Sequence, residues 1–481
     1  MLRILRLVPI FLLVALSLTR SVASAPMDFR ARIDAVLTQP GLDHAVVGVL
    51  VKSLTDGRTL YERNADLALI PASNQKLLTS AAALSLLGPE YRFQTFLFSG
   101  GTVDASGVLN GDLVLRGGGD PSLTLTGLAA LADSVKTAGI RSVTGRILAD
   151  DTRFDTRRLG DSWSWDDEAA AYQPQISALC FNENVVAVTV APGPKSGAPA
   201  RVTLTPDTDY VTVQNTALTA PSGEATLAVD RARGQNKILV SGSQPIGAKP
   251  FTVRVTVEDP ALFAARLFRD LLRDRGIRVA NPEIRGPTPP TAVIIGKGAS
   301  APLSVLTRFA FKQSDNLYEE VFLKTLGAET TGEGSGAEGA GGRALRAFLR
   351  SAKVDTDALA IADGSGLSTH NLVTPRVLVS LLAYMDHDAP PAARTVYRDA
   401  LPVGGVDGTL GTRFRGTPAA GNVRAKTGTL GIAVSLSGYA TTKAGEPLVF
   451  SILINHYLRG ARAAREARDA IVLALLDAPK P

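Results

Sequence analysis

The sequence contains few of the residues that build disulfides or metal centres. Cys180 is its single cysteine, so no disulfide can form within the chain. Its surroundings, ALCFN, offer no base or cation that would activate a thiol. We therefore expect Cys180 to be a buried apolar residue and not a nucleophile. Histidine is also scarce, and we predict no metal site because the four histidines show no ligand spacing: His44, His370, His387 and His456.

Long hydrophobic runs are lacking in the chain after its N-terminal segment. No later stretch reaches about eighteen uninterrupted apolar residues. The N terminus reads MLRILR, then the apolar run LVPIFLLVALSL, then the small residues SVASA. This is the layout of a secretory signal peptide, and the run is shorter than the roughly twenty residues that a bilayer requires. We predict a signal peptide at 1–25, cleaved after Ala23 or Ala25. The mature protein is then expected to be periplasmic, without a transmembrane anchor.

Charge of one sign is not concentrated in the chain. The formal net charge is +6, and it falls to +3 when Arg3, Arg6 and Arg20 are removed with the signal peptide. Nucleic-acid recognition requires a clustered basic face, so we predict no nucleic-acid partner. Residues 334–339 read GSGAEG and match a dinucleotide pattern, but the preceding LKTLGAE predicts a helix where that fingerprint needs a strand. We interpret this segment as a loop and predict no cofactor.

The length of the chain and the change in its sequence pattern along its course predict several domains. Between residues 94 and 286, short alternating segments separated by Gly, Pro and Asp predict inserted, mainly-β domains, which we take as two. The flanking parts, 26–93 and 287–481, combine predicted helices with a hairpin in HAVVGVLVKSLTDGRTLYERN and another formed by AVSLSGYAT and PLVFSILINHY. The fold class is therefore α/β (α+β), with an antiparallel sheet and helices.

A serine and a lysine stand three residues apart at the start of a predicted helix. The segment PASNQKLLTSAAALSLLG carries Ser73 and Lys76 in its first turns. Residues with this spacing share one helix face, so the lysine can reach the serine hydroxyl. A partly desolvated lysine can act as the base that a serine nucleophile needs. On its own the SxxK pattern is weak, because a capped helix with a solvated lysine gives the same letters.

Two further triplets strengthen this interpretation. Residues 314–316 read SDN and residues 426–428 read KTG, in the order found in β-lactamases and penicillin-binding proteins. Ser314 can relay a proton between the lysine and the leaving nitrogen, and Asn316 can hold a substrate amide. Lys426 and Thr427 can bind a terminal carboxylate through charge-assisted hydrogen bonds.

The remaining candidates concern the backbone near the KTG triplet. Gly428 would let a substrate backbone lie close to the strand. The oxyanion of a tetrahedral intermediate would sit between two backbone N–H groups, those of Ser73 and Thr429. These assignments predict catalytic roles for Ser73, Lys76 and Ser314, with substrate binding by the others.

With these motifs the chain resembles the class C low-molecular-mass penicillin-binding proteins, the D-alanyl-D-alanine carboxypeptidase/endopeptidase family. GDLVLRGGGDPSL, DGSGLSTHN, LPVGGVDGTL and VRAKTGTL also look typical of it. The resemblance implies a penicillin-recognising, β-lactamase-like domain with inserted domains, and hydrolysis of D-Ala-D-Ala or D-Ala-diaminopimelate bonds in peptidoglycan peptides through an acyl-enzyme. It also implies covalent inhibition by β-lactam antibiotics and no cofactor. Asp363, Ser365 and Asp407 either shape the pocket or serve as turn residues.

Two alternatives stay open at this stage. A β-lactamase or an esterase on the same fold would use the same three motifs, and a non-catalytic peptidoglycan-binding scaffold would keep the fold without turnover. The sequence does not decide between carboxypeptidase and endopeptidase action, the oligomeric state or the role of the inserted domains.

Overall fold

The computed structural model describes residues 28–336, 339–458 and 460–480. The predicted signal peptide at 1–25, with its cleavage after Ala23 or Ala25, lies outside the described residues, as does part of the GSGAEG segment. The α-helices of the described chain are α1 (Phe29–Leu37), α2 (Gln75–Leu86), α3 (Leu125–Thr137), α4 (Pro260–Asp274), α5 (Leu303–Gln313), α6 (Asn316–Thr331), α7 (Ala340–Ser351), α8 (Pro375–His387), α9 (Pro391–Ala400) and α10 (Ala461–Leu475).

Most strands of the described chain lie between α2 and α5. They are β1 (Val46–Ser53), β2 (Thr59–Arg63), β3 (Gln94–Ser99), β4 (Thr102–Val103), β5 (Val108–Asn110), β6 (Leu113–Gly117), β7 (Ser142–Val143), β8 (Ile147–Asp150), β9 (Val185–Ala191), β10 (Arg201–Thr205), β11 (Thr212–Asn215), β12 (Leu218–Ala220), β13 (Ala228–Arg231), β14 (Lys237–Ser241), β15 (Ser243–Pro245), β16 (Phe251–Thr256), β17 (Arg278–Val279), β18 (Ile284–Arg285), β19 (Val293–Ala299), β20 (Arg424–Leu430), β21 (Ala433–Thr441) and β22 (Pro447–Asn455).

A five-stranded antiparallel sheet, in the order β2-β1-β22-β21-β20, joins the two ends of the chain. Side chains alternate between its faces, as in any strand. Val49 and Val51 point into the core beneath α1 and α10, whereas Leu50 points into the core formed with α2 and α8. Both predicted hairpins, β1 with β2 and β21 with β22, are confirmed. So is the α/β class with an antiparallel sheet.

Helix α2 is the central helix of the second layer. Ten of its twelve residues are buried, so it has no solvent-facing side for most of its length. The helices α6, α7 and α9 pack around it. Because α2 is enclosed in this way, the residues at its N-terminal end are held rigidly between the sheet and α6.

The strands β3 to β19 form the other sheets, in the orders β18-β8-β6-β3-β19, β17-β7-β5-β4, β10-β9-β16, β11-β14-β13 and β12-β15. The helices α3 and α4 share a hydrophobic core with them. Since β19 pairs with β3, strand pairing carries this region to Ala299, and the division at 94–286 stays a prediction. In the described part of the chain, no helix combines the length and hydrophobicity needed to cross a membrane.

Candidate active site

Ser73 lies in a short 3₁₀ turn, Ala72–Asn74, that leads directly into α2. The turn is fixed by Asn74, whose amide donates to the Lys426 carbonyl over 2.8 Å and accepts from Ser437 Oγ over 2.7 Å. Ala72 adopts a positive φ of 48°, a conformation that costs energy for a residue with a side chain. The turn thus holds Ser73 against β20 and β21 at the expense of local strain.

Lys76 reaches Ser73 from the first turn of α2. Its Nζ lies 3.1 Å from Ser73 Oγ, 2.6 Å from Asn316 Oδ1 and 2.6 Å from the Ser365 carbonyl oxygen. The side chain is fully buried. Burial lowers the pKa of Lys76 from its ordinary value, although nearby carboxylates oppose this, Glu319 first among them. The structure therefore unites the two residues of the SxxK pattern with the asparagine of SDN.

The SDN triplet forms the junction between α5 and α6. Ser314 ends α5 with a left-handed φ of 60°, and Asp315 caps α6 by accepting from the Tyr318 N–H over 3.2 Å. Burial raises the pKa of Asp315 to about 6. Asn316 begins α6 and links α2 to the segment that carries Tyr172. Its Nδ2 donates to the Tyr172 carbonyl over 2.7 Å, and its Oδ1 accepts from Lys76 of α2.

The KTG triplet lies within strand β20, at the edge of the five-stranded sheet. Lys426 is fully buried, and its Nζ donates to Ser314 Oγ and to the Thr427 carbonyl, each over 2.8 Å. Burial, followed by the nearby charge of Lys76, lowers the pKa of Lys426 well below its ordinary value. Thr427 Oγ1 donates to Thr409 Oγ1 over 2.7 Å. The partner of Ser314 is thus Lys426, and its relay role toward Lys76 stays a prediction.

Gly428 packs directly against the nucleophile turn. A Cβ at this position would lie 2.2 Å from Ser435 Oγ and 2.9 Å from both Ala72 Cβ and the Pro71 carbonyl oxygen. Ser435 Oγ in turn donates to that carbonyl over 2.6 Å. The absence of a side chain at 428 therefore lets the turn that carries Ser73 rest on β20. Its expected role toward a substrate backbone stays a prediction.

A cleft of about 550 Å³ opens in front of these residues. Of the predicted site residues, four line it: Ser73, Ser314, Asn316 and Thr429. Lys76 and Lys426 lie buried behind them. The sequence interpretation missed several lining residues, namely Asp167, Tyr172, Gly366, Leu367, Leu430, Gly431, Ala461 and Arg465. Asp167 and Tyr172 come from the region expected to be inserted, and no local signal in the sequence places them beside Ser73.

The DGSGLSTHN segment forms a rigid loop beside the cleft. Asp363, buried, accepts from the N–H groups of Gly366 and Ser368 over 2.7 and 2.6 Å and from Trp163 Nε1 over 2.9 Å. Glu320 on α6 accepts from the Ser365 N–H over 2.8 Å. The loop therefore presents the Ser365 carbonyl to Lys76, so Asp363 acts as a turn residue whose turn also shapes the site.

Asp407 occupies a separate position behind α5. Its carboxylate accepts from Lys312 Nζ over 2.7 Å and from the Val403 N–H over 2.9 Å. It thus anchors the LPVGGVDGTL segment that also contributes Thr409.

Cys180 is buried, as predicted. Its thiol donates to the Ser177 carbonyl over 3.0 Å, and burial raises its pKa to about 12. Within the described ranges, no group of three or more His, Cys, Asp or Glu side chains is placed to hold a metal ion.

Comparison with known proteins identifies the family. The model of the D-Ala-D-Ala carboxypeptidase 3 (S13) family matches residues 29–477. A D-alanyl-D-alanine carboxypeptidase of Actinomadura sp. is 40% identical over 465 residues, covering 94% of this chain and 85% of that protein. The D-alanyl-D-alanine carboxypeptidase DacB of Haemophilus influenzae is 28% identical over 440 residues, covering 91% of each.

A solved structure supports the same assignment. The crystal structure of penicillin binding protein 4 from Haemophilus influenzae matches with a TM-score of 0.82 at 25% identity, covering 93% of this chain and 99% of that one. This likeness confirms the predicted penicillin-recognising fold. The chain belongs to the D-Ala-D-Ala carboxypeptidase 3 (S13) family, and the resemblance drawn from its three motifs is confirmed.

Proposed function

We propose that Ser73 is the nucleophile of a serine D-alanyl-D-alanine carboxypeptidase. The observation that carries this proposal is the 3.1 Å contact between Lys76 Nζ and Ser73 Oγ inside a desolvated site. Neutral Lys76 takes the hydroxyl proton as Ser73 Oγ bonds to the carbonyl carbon of the penultimate D-alanine. The resulting oxyanion is stabilised by the backbone N–H groups of Ser73 and Thr429.

Collapse of the tetrahedral intermediate breaks the peptide bond. The leaving nitrogen takes the hydroxyl proton from Lys76 through Ser314, free D-alanine departs, and an acyl ester to Ser73 remains. Water then attacks the ester, a water proton is transferred to Ser73 Oγ to regenerate the hydroxyl, and the shortened peptide leaves with a new terminal carboxyl group. Lys426, which donates to Ser314, holds positive charge beside this path and attracts the terminal carboxylate of the substrate together with Thr427.

We further propose that the substrates are peptidoglycan peptides met outside the cytoplasm. The signal-peptide pattern at 1–25 supports export, and family membership supports the D-alanyl peptide as substrate. Cleavage of D-Ala-diaminopimelate cross-links is a second activity of the same site, since it requires the same attack on a D-alanyl carbonyl.

β-Lactams are proposed as covalent inhibitors of Ser73. A related penicillin binding protein 4 from Haemophilus influenzae has been solved in complex with a β-lactam. In this chain the strained lactam carbonyl would occupy the position of the D-alanyl carbonyl. Opening of the ring leaves the amine attached, so nothing departs from the cleft and the ester persists.

The region 94–286, proposed as the inserted domains, contributes to the cleft through Asp167 and Tyr172. We propose that it guides substrate toward Ser73. Limited proteolysis of the purified protein tests the division: stable fragments bounded near 94 and 286–299 support it, and cleavage within the sheets of this region contradicts it.

The activity is tested with purified protein and two substrates, an N-acylated tripeptide that ends in D-Ala-D-Ala and a purified cross-linked muropeptide dimer. Release of D-alanine from the tripeptide supports the carboxypeptidase, and conversion of the dimer to monomers supports the second activity. Rapid turnover of a chromogenic cephalosporin, with no D-alanine released, would favour the β-lactamase alternative. Binding of peptidoglycan without any release would favour the scaffold.

A further inference from the structure

The catalytic site contains a buried carboxylate, that of Glu319, which has no role in the steps proposed above. Glu319 is fully buried on α6, one turn after Asn316. Its Oε1 accepts from Ser80 Oγ over 2.8 Å, and Ser80 stands one turn after Lys76 on α2. The Lys76–Asn316 contact between these two helices is thus followed, one turn deeper, by the Ser80–Glu319 contact.

The other oxygen of Glu319 lacks a hydrogen-bond partner among the described residues. A buried carboxylate that is only half satisfied is costly, and an apolar side chain would fill the same space at lower cost. A carboxylate at this position is therefore expected to have an electrostatic partner. The buried ammonium groups of Lys76 and Lys426 are suited to this, because their own hydrogen bonds go to neutral oxygens and leave their charges without a directly bonded anion. These oxygens belong to Ser73, Asn316, Ser365, Ser314 and Thr427.

We propose that Glu319 is a positioning residue that supplies the negative charge of the buried two-lysine site and so controls when Lys76 becomes the neutral base. The inference rests on the proposed role of Lys76 as the base for Ser73. Glu319 does not touch substrate in this account. It acts through Lys76, by stabilising the ammonium form until the pH is high enough for the proton to leave.

The titration directions agree with this geometry. Burial raises the pKa of Glu319, and the charge of Lys76 opposes this rise by favouring the Glu319 anion. Burial lowers the pKa of Lys76, and Glu319 is the largest opposing charge. The charged or titratable groups that act on this pair are Lys426 from β20, Asp363 from the loop beside the cleft, Tyr397 from α9, and Asp315 and Glu320 from α6. Burial thus shifts the pKa of Glu319 upward and that of Lys76 downward, and the attraction between the two charges opposes both shifts.

The chain offers a matched control in Glu446. It too is fully buried, accepts a hydrogen bond from one serine, Ser53, and has a second oxygen without a partner among the described residues. Glu446 precedes β22, and it is not among the charges that act most strongly on Lys76 or Lys426. Replacing either glutamate with glutamine makes the same chemical change at an equally buried site.

The experiment measures the second-order rate of acylation by benzylpenicillin from pH 5 to 9 in wild type, Glu319→Gln and Glu446→Gln. Loss of the Glu319 charge lets Lys76 release its proton more readily. We expect the rising acid limb of the Glu319→Gln profile to move to lower pH by about one unit, and that of Glu446→Gln to stay with wild type. Thermal unfolding of each variant monitors the fold.

An unmoved limb in folded Glu319→Gln, or an equal displacement in Glu446→Gln, would overturn the proposal. If Glu319→Gln does not fold, Ser80→Ala serves instead, because loss of its hydrogen bond disfavours the Glu319 anion and should move the limb the same way by a smaller amount. If the acid limb of the pH–rate profile of Ser80→Ala then coincides with that of wild type, the proposal is overturned. Failure of the proposed function looks different, since wild type itself would form no adduct.

Discussion

Lys76 Nζ points one of its three hydrogen positions at Ser73 Oγ, 3.1 Å away. The other two are directed at Asn316 Oδ1 and the Ser365 carbonyl, each 2.6 Å away. An ammonium group has three donors and no acceptor, whereas a neutral amine keeps two donors and gains a lone pair. Neutral Lys76 can therefore keep both short contacts while its lone pair faces the serine. The geometry suits a base for Ser73.

Replacing Lys76 with arginine should abolish this base, because a guanidinium stays protonated at all accessible pH values. We expect Lys76→Arg to lower the rate of acylation by benzylpenicillin on the order of 10²–10⁴-fold, the usual contribution of a general base. In wild type the rate should rise with pH below the ordinary range of lysine, since burial lowers the pKa of Lys76 and the neutral form grows as pH increases.

The control for this variant is Lys136→Arg, at an exposed position on α3. It should acylate at the wild-type rate across the same pH range. A Lys76→Arg protein that keeps both the rate and its pH dependence would show that another group takes the proton.

A methyl group at position 428 should disturb the nucleophile turn. In Gly428→Ala the added Cβ meets Ser435 Oγ, Ala72 and the Pro71 carbonyl at distances that force a shift. We expect a loss of about 1–3 kcal/mol in the free energy of unfolding, as for other overpacked sites. Because the displaced segment carries Ser73, acylation should fall by at least about tenfold. Urea denaturation and a fluorescent penicillin measure the two effects.

Gly298→Ala provides the comparison, since Gly298 lies in a strand, β19, and has open space at its Cβ position. It should leave acylation unchanged. Equal behaviour of the two variants would mean that the close approach of the turn to β20 does not position Ser73.

A short string in the sequence was sufficient to predict the contact between Ser73 and Lys76. Ser73 and Lys76 are near neighbours on one helix, so their contact follows from helical spacing. The pairing of Lys76 with Asn316 joins residues 240 positions apart, and that of Lys426 with Ser314 joins residues 112 apart. Such pairings depend on how helices and sheet pack. The sequence predicted neither pairing, because it assigned Asn316 to a substrate amide and Ser314 to a proton relay with Lys76.

Loss of the Asp363 carboxylate should loosen the loop that presents Ser365 to Lys76. In Asp363→Ala the N–H groups of Gly366 and Ser368 lose a buried acceptor. We expect the free energy of unfolding to fall by about 2–4 kcal/mol, roughly the cost of two unsatisfied buried groups. Acylation should slow as well, because the Ser365 carbonyl no longer orients Lys76.

The comparison is Asp355→Ala, which removes an exposed carboxylate that accepts one backbone hydrogen bond, from Asp357. Its stability should change by less than about 0.5 kcal/mol. If Asp363→Ala unfolds at the same urea concentration as Asp355→Ala, the loop does not depend on this carboxylate.

The thiol of Cys180 should be inert in the native protein. Burial raises its pKa to about 12, so the reactive thiolate is rare at pH 8 and the sulfur is also shielded from reagent. Iodoacetamide should leave the native protein unmodified and should add one carbamidomethyl group after unfolding in urea. Rapid native labelling would contradict the buried position of Cys180.

The residues that the sequence did not reveal lie in irregular segments or at helix positions that carry no motif. Asp167 and Tyr172 lie between β8 and β9, in a stretch without a periodic pattern or a motif. Arg465 looks like an ordinary exposed position on an amphipathic helix, α10, until packing brings that helix to the cleft. Glu319 likewise lies on a helix, α6, and no motif in the sequence marks it. Three-dimensional packing gives these residues their positions.

Mass spectrometry of the purified protein after incubation with benzylpenicillin tests the central claim most directly, with wild type compared against Ser73→Ala. We predict one adduct of a single drug mass in wild type, located on the peptide that contains Ser73, and no adduct in the variant. An adduct that persists in folded Ser73→Ala, or that maps to another peptide, would contradict the assignment of Ser73 as the nucleophile.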